Sequence, residues 1–287
     1  MSETMAPAHA GHGAKGYRAY VLLALLIVYT FNFIDRILIG IVQEPIRREF
    51  ELDDGVMGWL GGPAFAILYT FMGIPIARWA ERANRVTIVA LGAAVWSAMT
   101  ALCGFAGNFV HLLLARIGVG IGEAACTPPS HSLLSDYFPA NRRGSAIAIY
   151  SLGVPIGTML AAMGGGWLAQ QFDWRVAFWA LGAPGLIAAI VLKLSVREPP
   201  RINADAVAPS FGETLRTLAG KKAFWHVAFG AALVSFVGYS TAQFLPAYIV
   251  RTYGLSGFQA SMAFGLIAGF AAGLGTFMGG LLSERLA

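Results

Sequence analysis

Long apolar runs separated by short polar breaks are the dominant pattern along this chain. An α-helix rises about 1.5 Å per residue, so about 20 apolar residues cross a bilayer core that is roughly 30 Å thick. The breaks carry proline, asparagine, glycine and charged residues, as in EPIRREFELDDG and FPANRRG. The pattern predicts eight transmembrane helices at 18–42, 56–77, 86–106, 109–134, 144–169, 174–195, 223–250 and 257–282.

The connections between these helices predict how the chain is oriented. Lysine and arginine concentrate in alternate connections, and cytoplasmic loops of membrane proteins carry this excess. We therefore expect a multi-pass protein of the cell (inner) membrane with a cytoplasmic N-terminus. The inner connections hold Lys15, Arg18, Arg78, Arg82, Arg85, Arg142, Arg143, the basic residues of 193–222 and Arg285, whereas the outer ones hold Arg47, Arg48, Arg175 and Arg251.

The spacing of the helices divides the chain into four segments. Residues 1–17 are predicted to form a mobile cytoplasmic tail, 18–195 a six-helix bundle, and 223–287 the start of a second bundle. The linker at 196–222 contains SFGETLRTL, in which Ser210 and Glu213 have capping-box spacing. Phe211, Leu215 and Leu218 share one face of that segment, which predicts a short helix on the membrane surface. An unstructured linker is the alternative.

Composition supports a membrane protein and argues against several other classes. Hydrophobic residues make up 57% of the chain and charged residues 12%, about half the roughly 25% of soluble domains. The net charge of +5 lies in short inter-helix clusters, so no nucleic-acid partner is expected. Cys103 and Cys126 fall in apolar runs, and no metal, cofactor or catalytic motif is evident, so neither a cofactor nor an enzymatic activity is expected.

An internal repeat connects the two ends of the chain. REFELD at 48–53 and RTYGLS at 251–256 share an arginine, an aromatic residue, a leucine and a capping residue at an offset of 203. Glu81-Arg82 recurs as Glu284-Arg285 at the same offset. This pattern favours a duplicated architecture with a binding site between two halves, as in transporters. A chance match between short loops is the alternative.

Four short segments resemble one family of transporters. ARWAERANR at 77–85 resembles Gly-x-x-x-Asp-Arg-x-Gly-Arg, the signature of the loop between helices 2 and 3 in the major facilitator superfamily. NFIDR, RIGVGIGEA and VREPPR, taken in order, resemble its Spinster-like branch, whose animal members move lysophospholipids and sphingosine phosphate. The resemblance implies an all-α membrane fold, here a six-helix N-terminal half plus the first two helices of the C-terminal half of a twelve-helix protein.

Charged residues inside the predicted helices are the candidate binding groups. A charge at mid-helix costs about 2.5–3.5 kcal/mol, so it should face a cavity or a partner. Asn32, Asp35 and Arg36 form one stripe on helix 1, and Arg116 and Glu123 share a face of helix 4. The superfamily resemblance implies that both helices line the central cavity. We hypothesise that Asp35 and Glu123 exchange protons while Arg36 and Arg116 bind an anionic group; a static charge network is the alternative.

A second candidate group lies at the predicted cytoplasmic rim. The resemblance implies that Glu81, Arg82 and Arg85, with Glu284 and Arg285 of the second half, form a gate that holds the halves together. Ordinary positive-inside charge is the alternative. His131, beyond Glu123 on helix 4, is expected to pack rather than to extend a proton path.

These features together predict a secondary active transporter that works by alternating access and proton-coupled symport. The predicted partners are a small amphiphilic or organic anionic solute (small-molecule or lipid-like), protons and the lipid bilayer. Three alternatives stay open: an organic-anion/proton symporter of another branch, a truncated fragment that is inactive alone, and a non-transporting membrane receptor.

Overall fold

The computed structural model describes residues 11–202, 211–275 and 278, and within these residues the regular structure is entirely helical. The prediction of eight apolar helices in an all-α fold is confirmed. Their ends differ from the predicted ones by a few residues. The helices are α1 (Lys15–Ile41), α2 (Asp54–Arg82), α3 (Arg85–Cys103), α4 (Phe109–Tyr137), α5 (Ala140–Gln171), α6 (Trp174–Ser195), α7 (Lys222–Tyr253) and α8 (Gly257–Gly275).

Polar residues in the breaks start several of these helices. A capping side chain accepts a hydrogen bond from a backbone N–H of the first turn, which would otherwise lack a partner. Ser256 also forms a reciprocal capping box with Gln259, and Gly254 ends α7 in the left-handed conformation, at φ +65°. The side-chain caps are Asp53 for α2, Asn84 for α3, Asn108 for α4, Asp173 for α6 and Ser256 for α8.

In the part of the chain that the structure describes, two short helices lie outside the eight spans. Gln43–Glu49 follows α1 at the end of the bundle predicted to face outside, called the outer end below. Phe211–Ala219 forms within the linker where a helix was predicted, and its Leu215 is exposed; Ser210 lies outside the described residues. At the N-terminus, α1 begins at Lys15, ahead of the predicted residue 18. The His12 N–H donates to the carbonyl of Tyr137, so the end of the predicted tail lies against α4.

Helix breaks in the six-helix unit occur where small residues and prolines cluster. α4 is interrupted just after Glu123, ahead of Pro128 and Pro129, and α5 contains a π-helical turn at Ala161–Gly165. Such interruptions are frequent at functional sites because they re-aim side chains and free backbone groups. Here the break places Glu123 at the end of a helical segment in the middle of the bundle.

The first six helices and the last two meet along a seam that lies toward the outer end. Glycines allow the helices to approach closely there: a Cβ added at Gly40 of α1 would lie 2.7 Å from the carbonyl oxygen of Ala242 on α7. Between α5 and α8, a Cβ at Gly265 would lie 2.7 Å from the Cβ of Ala162. In contrast, residues 226–238 of α7 are largely exposed. This part of α7 therefore stands away from the six-helix unit, whereas α8 stays against α5 as far as Gly273.

Candidate functional site

The charged stripe of α1 points into the protein and not toward the lipid-facing surface. Asn32 and Asp35 are each 1% exposed, and Arg116 and Glu123 of α4 are fully buried. The Arg36 side chain is 8% exposed. The structure thus brings all five candidate residues into one interior region between α1 and α4. Within that region, Arg36 and Arg116 have different kinds of partner.

Arg36 and Glu123 form a buried ion pair. The Nε of Arg36 donates to Glu123 Oε2 at 3.0 Å, and its Nη2 donates to the same oxygen. Nη2 also contacts Asn32 Oδ1 at 3.4 Å. The rings of Phe33 and Phe65 lie with their centroids 4.9 Å from the guanidinium carbon. Aromatic faces stabilise a cation that has lost its water, so these rings hold the arginine inside the bundle.

Asp35 and Arg116 are held differently. Arg116 Nη1 donates to the backbone carbonyl of Asp35 at 3.2 Å, not to its carboxylate. Among the described residues, neither Asp35 carboxylate oxygen has a hydrogen-bond partner, nor do Nε and Nη2 of Arg116. Buried polar groups are rarely left in this state. Of the two carboxylates in the proton-exchange hypothesis, Glu123 therefore forms an ion pair with Arg36, whereas the carboxylate of Asp35 has no hydrogen-bond partner among the described residues.

A residue that the sequence analysis missed completes the Arg36 environment. The Nη1 of Arg36 donates to the hydroxyl of Tyr239 on α7 at 2.7 Å, which links the six-helix unit to the second part of the chain. Tyr239 lies 203 residues after Arg36, the offset of the internal repeat. The repeat was the signal that could have identified it.

A cavity of about 490 Å³ adjoins this cluster. Phe33 and Tyr239, which both contact Arg36, also line the cavity. The rest of its wall comes from α1, α5, α7 and α8 and is mostly apolar. The arrangement places one buried guanidinium beside a hydrophobic space, which suits a solute with an anionic group and an apolar body.

The predicted cytoplasmic gate residues lie in different surroundings. Glu81 and Arg82 are exposed, while Arg85 is 1% exposed. Arg85 pairs with Asp136 at 2.5 Å and with Glu198 at 2.6 Å, both of which belong to the first 202 residues. Within the described residues, Arg85 therefore ties α3 to the end of α4 and to the segment after α6. The other two members of the predicted gate, Glu284 and Arg285, lie outside the described residues.

His131 is half-buried, and its ring packs edge-on against Tyr150 with centroids 5.4 Å apart. The contact agrees with the packing role that the sequence suggested for His131. It gives no continuous hydrogen-bonded path to Glu123 among the described contacts.

The outer end of the seam carries a second charge cluster. Arg251 of α7 donates to Glu44 Oε1 at 2.6 Å through Nε and to Asp54 Oδ2 at 2.7 Å through Nη1. Nearby, the Gln243 side-chain amide donates to Gln43 Oε1 at 2.6 Å. These contacts close the outer end, whereas the inner part of α7 stands away from the six-helix unit.

A further outer-face pair lies wholly within the six-helix unit. Arg175 donates to Glu49 Oε1 at 2.6 Å and to Oε2 at 2.9 Å, and the Trp174 indole N–H donates to Oε2 at 2.7 Å. The guanidinium of Arg175 lowers the pKa of the Glu49 carboxyl. This pair fixes the short outer helix against α6.

Comparison with known proteins identifies the family. The family model of the Major Facilitator Superfamily matches residues 25–287. An MFS-type efflux pump of Mycolicibacterium smegmatis is 36% identical over 96% of this chain and 64% of its own length. Protein spinster homolog 1 of Bos taurus is 28% identical over 95% of this chain and 56% of its own. A probable galactarate/D-glucarate transporter, GudP, of Bacillus subtilis is 26% identical over 94% and 65%.

Solved structures agree with this assignment. A bacterial homologue of the human lysosomal transporter Spinster, in an inward-facing and unoccupied conformation, superposes with a TM-score of 0.82 at 42% identity, covering 96% of this chain and 64% of that one. The chain thus spans 56% to 65% of the length of these relatives. A peptide transporter with a TM-score of 0.57 and 16% identity shares the fold alone. The chain belongs to the major facilitator superfamily, and its resemblance to the Spinster-like branch is confirmed.

Proposed function

We propose that this chain carries the anion- and proton-binding site of a secondary active transporter that works by alternating access. The observation that supports the proposal best is the Arg36–Glu123 ion pair, buried between α1 and α4 and linked through Arg36 to α7. In this proposal, 18–195 and 223–287 belong to opposite halves joined by a cytoplasmic linker at 196–222. The N-terminus faces the cytoplasm of a cell (inner) membrane.

Ion-pair exchange supplies the coupling. An anionic solute that binds Arg36 competes with Glu123 for the same guanidinium. Once displaced, Glu123 would be a buried, unpaired carboxylate, and leaving one charge of a buried pair alone is costly. A proton on Glu123 removes that charge, so anion and proton favour each other's binding. Because such coupling is reciprocal, it gives symport. Asp35, whose carboxylate has no hydrogen-bond partner among the described residues, is a second candidate proton site.

The mostly apolar wall of the adjoining cavity favours an amphiphilic anion such as a lysophospholipid. The resemblance of NFIDR, RIGVGIGEA and VREPPR to the Spinster-like branch implies the same class. A small organic dianion is the second candidate, because the galactarate/D-glucarate transporter is also a relative and such a solute would use the two buried arginines, Arg36 and Arg116.

Flux into proteoliposomes tests the proposal. The protein is reconstituted with an imposed proton gradient, and the uptake of lysophosphatidylglycerol and of glucarate is measured separately. We expect gradient-driven uptake of one of them by the wild type and its loss in Glu123→Gln, with a reduction in Asp35→Asn. Glu51→Gln, which removes an exposed carboxylate between α1 and α2, is the matched control and should retain uptake.

Three other outcomes separate the alternatives. Unchanged gradient-driven uptake in both Glu123→Gln and Asp35→Asn would end the coupling proposal and leave a static charge network. Binding of either solute without flux would favour a receptor. Flux that appears only in a longer gene product carrying this sequence would assign the activity to that product.

A further inference from the structure

Tyr239 lies where α7 begins to separate from the six-helix unit. Outward from it, α7 contacts the six-helix unit through Gln243 and Arg251. Inward from it, 226–238 are largely exposed. Tyr239 itself is 44% exposed and lines the cavity beside Arg36. Tyr239 and Arg36 therefore meet at the point where α7 leaves the six-helix unit.

Counting donors shows that hydrogen-bonding capacity remains at this point. A guanidinium has five N–H groups. The Nε hydrogen and the two Nη2 hydrogens of Arg36 go to Glu123 and Asn32, and one Nη1 hydrogen goes to Tyr239. One Nη1 hydrogen is left without an acceptor among the described contacts. The hydroxyl of Tyr239 accepts from Arg36, and no described contact uses its own proton.

Arg36 and Tyr239 also occupy matching positions in the predicted internal repeat. Arg36 and Tyr239 are 203 residues apart, as are Arg48 and Arg251 of the matching loops. In a two-fold arrangement, equivalent residues contact each other only near the axis. Under the predicted duplication, the Arg36–Tyr239 hydrogen bond therefore lies where the two halves face each other through equivalent positions. A ligand bound there contacts both halves at once.

We propose that Tyr239 is an anion ligand contributed by the second half. Its hydroxyl proton and the remaining Nη1 hydrogen of Arg36 together donate to one charged oxygen of the solute. The inference rests on the anion site of the proposed function and adds a second-half residue to it. The bound anion bridges α1 and α7, so occupancy of the site is transmitted to the seam between the halves.

Equilibrium binding tests this inference independently of flux. Tritiated lysophosphatidylglycerol and glucarate are each titrated against the purified protein in lipid nanodiscs. Tyr239→Phe retains the ring and removes the hydroxyl, so we expect about a tenfold weaker Kd for the anion that the wild type binds, as for the loss of one hydrogen bond to a charged group. Tyr248→Phe is the matched control: it lies on the same helix, is 55% exposed and has its ring against Tyr253.

A neutral analogue distinguishes a ligand from a packing residue. Monoacylglycerol, or glucitol in place of glucarate, lacks the charged oxygen, so Tyr239→Phe should leave its affinity unchanged. Tyr239→His, which keeps a donor, should recover part of the anion affinity.

An unchanged Kd in Tyr239→Phe would overturn the inference. A tighter Kd would also overturn it, because Tyr239 would then compete with the anion for Arg36. If the wild type binds neither anion, the ligand role is wrong for both solute classes. Weakened binding in Tyr239→Phe without any flux in the wild type would support the inference while contradicting the proposed transport.

Discussion

Arg251 of α7 holds Asp54 at the first turn of α2 through two parallel hydrogen bonds, Nη1 to Oδ2 at 2.7 Å and Nη2 to Oδ1 at 2.8 Å. Paired bonds of this kind fix orientation as well as distance. The same guanidinium also pairs with Glu44, whose side chain is 11% exposed. One cation of the second half thus satisfies two carboxylates of the first, and this cluster closes the outer end of the seam.

Removal of this cation should open the outer end. In Arg251→Met, Glu44 and Asp54 lose their shared partner and repel each other, so the closed seam becomes less populated. Met57, three residues after Asp54 on α2, is fully buried, and the native cysteines Cys103 and Cys126 are also buried. Met57→Cys therefore provides a reporter with low background. We expect a membrane-impermeant maleimide to modify this reporter several-fold faster when Arg251→Met is also present.

Arg175→Met is the control for this experiment. It removes another arginine–carboxylate pair at the outer end, but that pair lies within the six-helix unit. It should leave the modification rate of Met57→Cys close to that of the parent. Equal acceleration by both arginine variants would show that general loosening, and not the seam contact, exposes the reporter.

The Arg36–Glu123 pair should show strong non-additivity. Arg36→Met leaves Glu123 charged, buried and unpaired, which we expect to cost about 3–5 kcal/mol. The double variant Arg36→Met/Glu123→Gln carries no unpaired charge and should be more stable than Arg36→Met. Thermal unfolding of the wild type, Arg36→Met, Glu123→Gln and the double variant in one detergent measures the coupling free energy between the two side chains. If the two single effects simply add, the ion pair is absent in solution.

The sequence predicted the helices well because length and hydropathy alone decide whether a segment can cross a bilayer. It also placed Asp35, Arg36 and Glu123 in one interior region, since a charge inside a membrane helix must find water or a partner. It did not predict which groups pair. Arg36 pairs with Glu123, which lies at the break in α4, whereas Arg116 donates to the backbone carbonyl of Asp35. These pairings depend on distances between atoms of different helices, and the periodicity of a sequence carries no information about such distances.

The predicted gate motif at 81–85 also shows that the sequence did not predict which charged residues are buried. The motif ERANR predicts three charged residues with one role, but Arg85 lies inside the bundle and Arg82 outside it. Arg85→Met leaves Asp136 and Glu198 without this partner and should destabilise the protein by about 3–5 kcal/mol. Arg82→Met, the control three positions earlier, should change stability by less than about 1 kcal/mol. Comparable effects on unfolding would contradict the separate roles of these two arginines.

The Glu49–Arg175 pair should make stability depend on pH. The pKa of Glu49 is lower in the folded protein than in the unfolded chain, where it is about 4.3. Its stabilising contribution is therefore fully present above pH ~4.3 and is lost as the pH falls through the lower folded-state value. Glu49→Gln should lower the unfolding temperature at pH 7, and its difference from the wild type should shrink as the pH drops below about 4. A difference that stays constant would mean that the carboxylate is not held by Arg175.

Close packing between α1 and α7 should depend on a single glycine. A methyl group at Gly40 would lie 2.7 Å from the Ala242 carbonyl oxygen and 3.2 Å from the Cα of Gln243, so backbone and not a flexible side chain would have to move. Gly40→Ala should therefore separate the two helices at the seam and speed modification of the Met57→Cys reporter. Gly73→Ala on α2 is the control, because among the described residues no atom outside the neighbouring backbone of α2 lies within 4 Å of its added methyl group. Alanine is also the better helix former, so Gly73→Ala should leave the modification rate unchanged and stability equal or slightly higher. If Gly40→Ala left the modification rate of the Met57→Cys reporter unchanged, as expected for Gly73→Ala, α1 and α7 would not pack closely at Gly40.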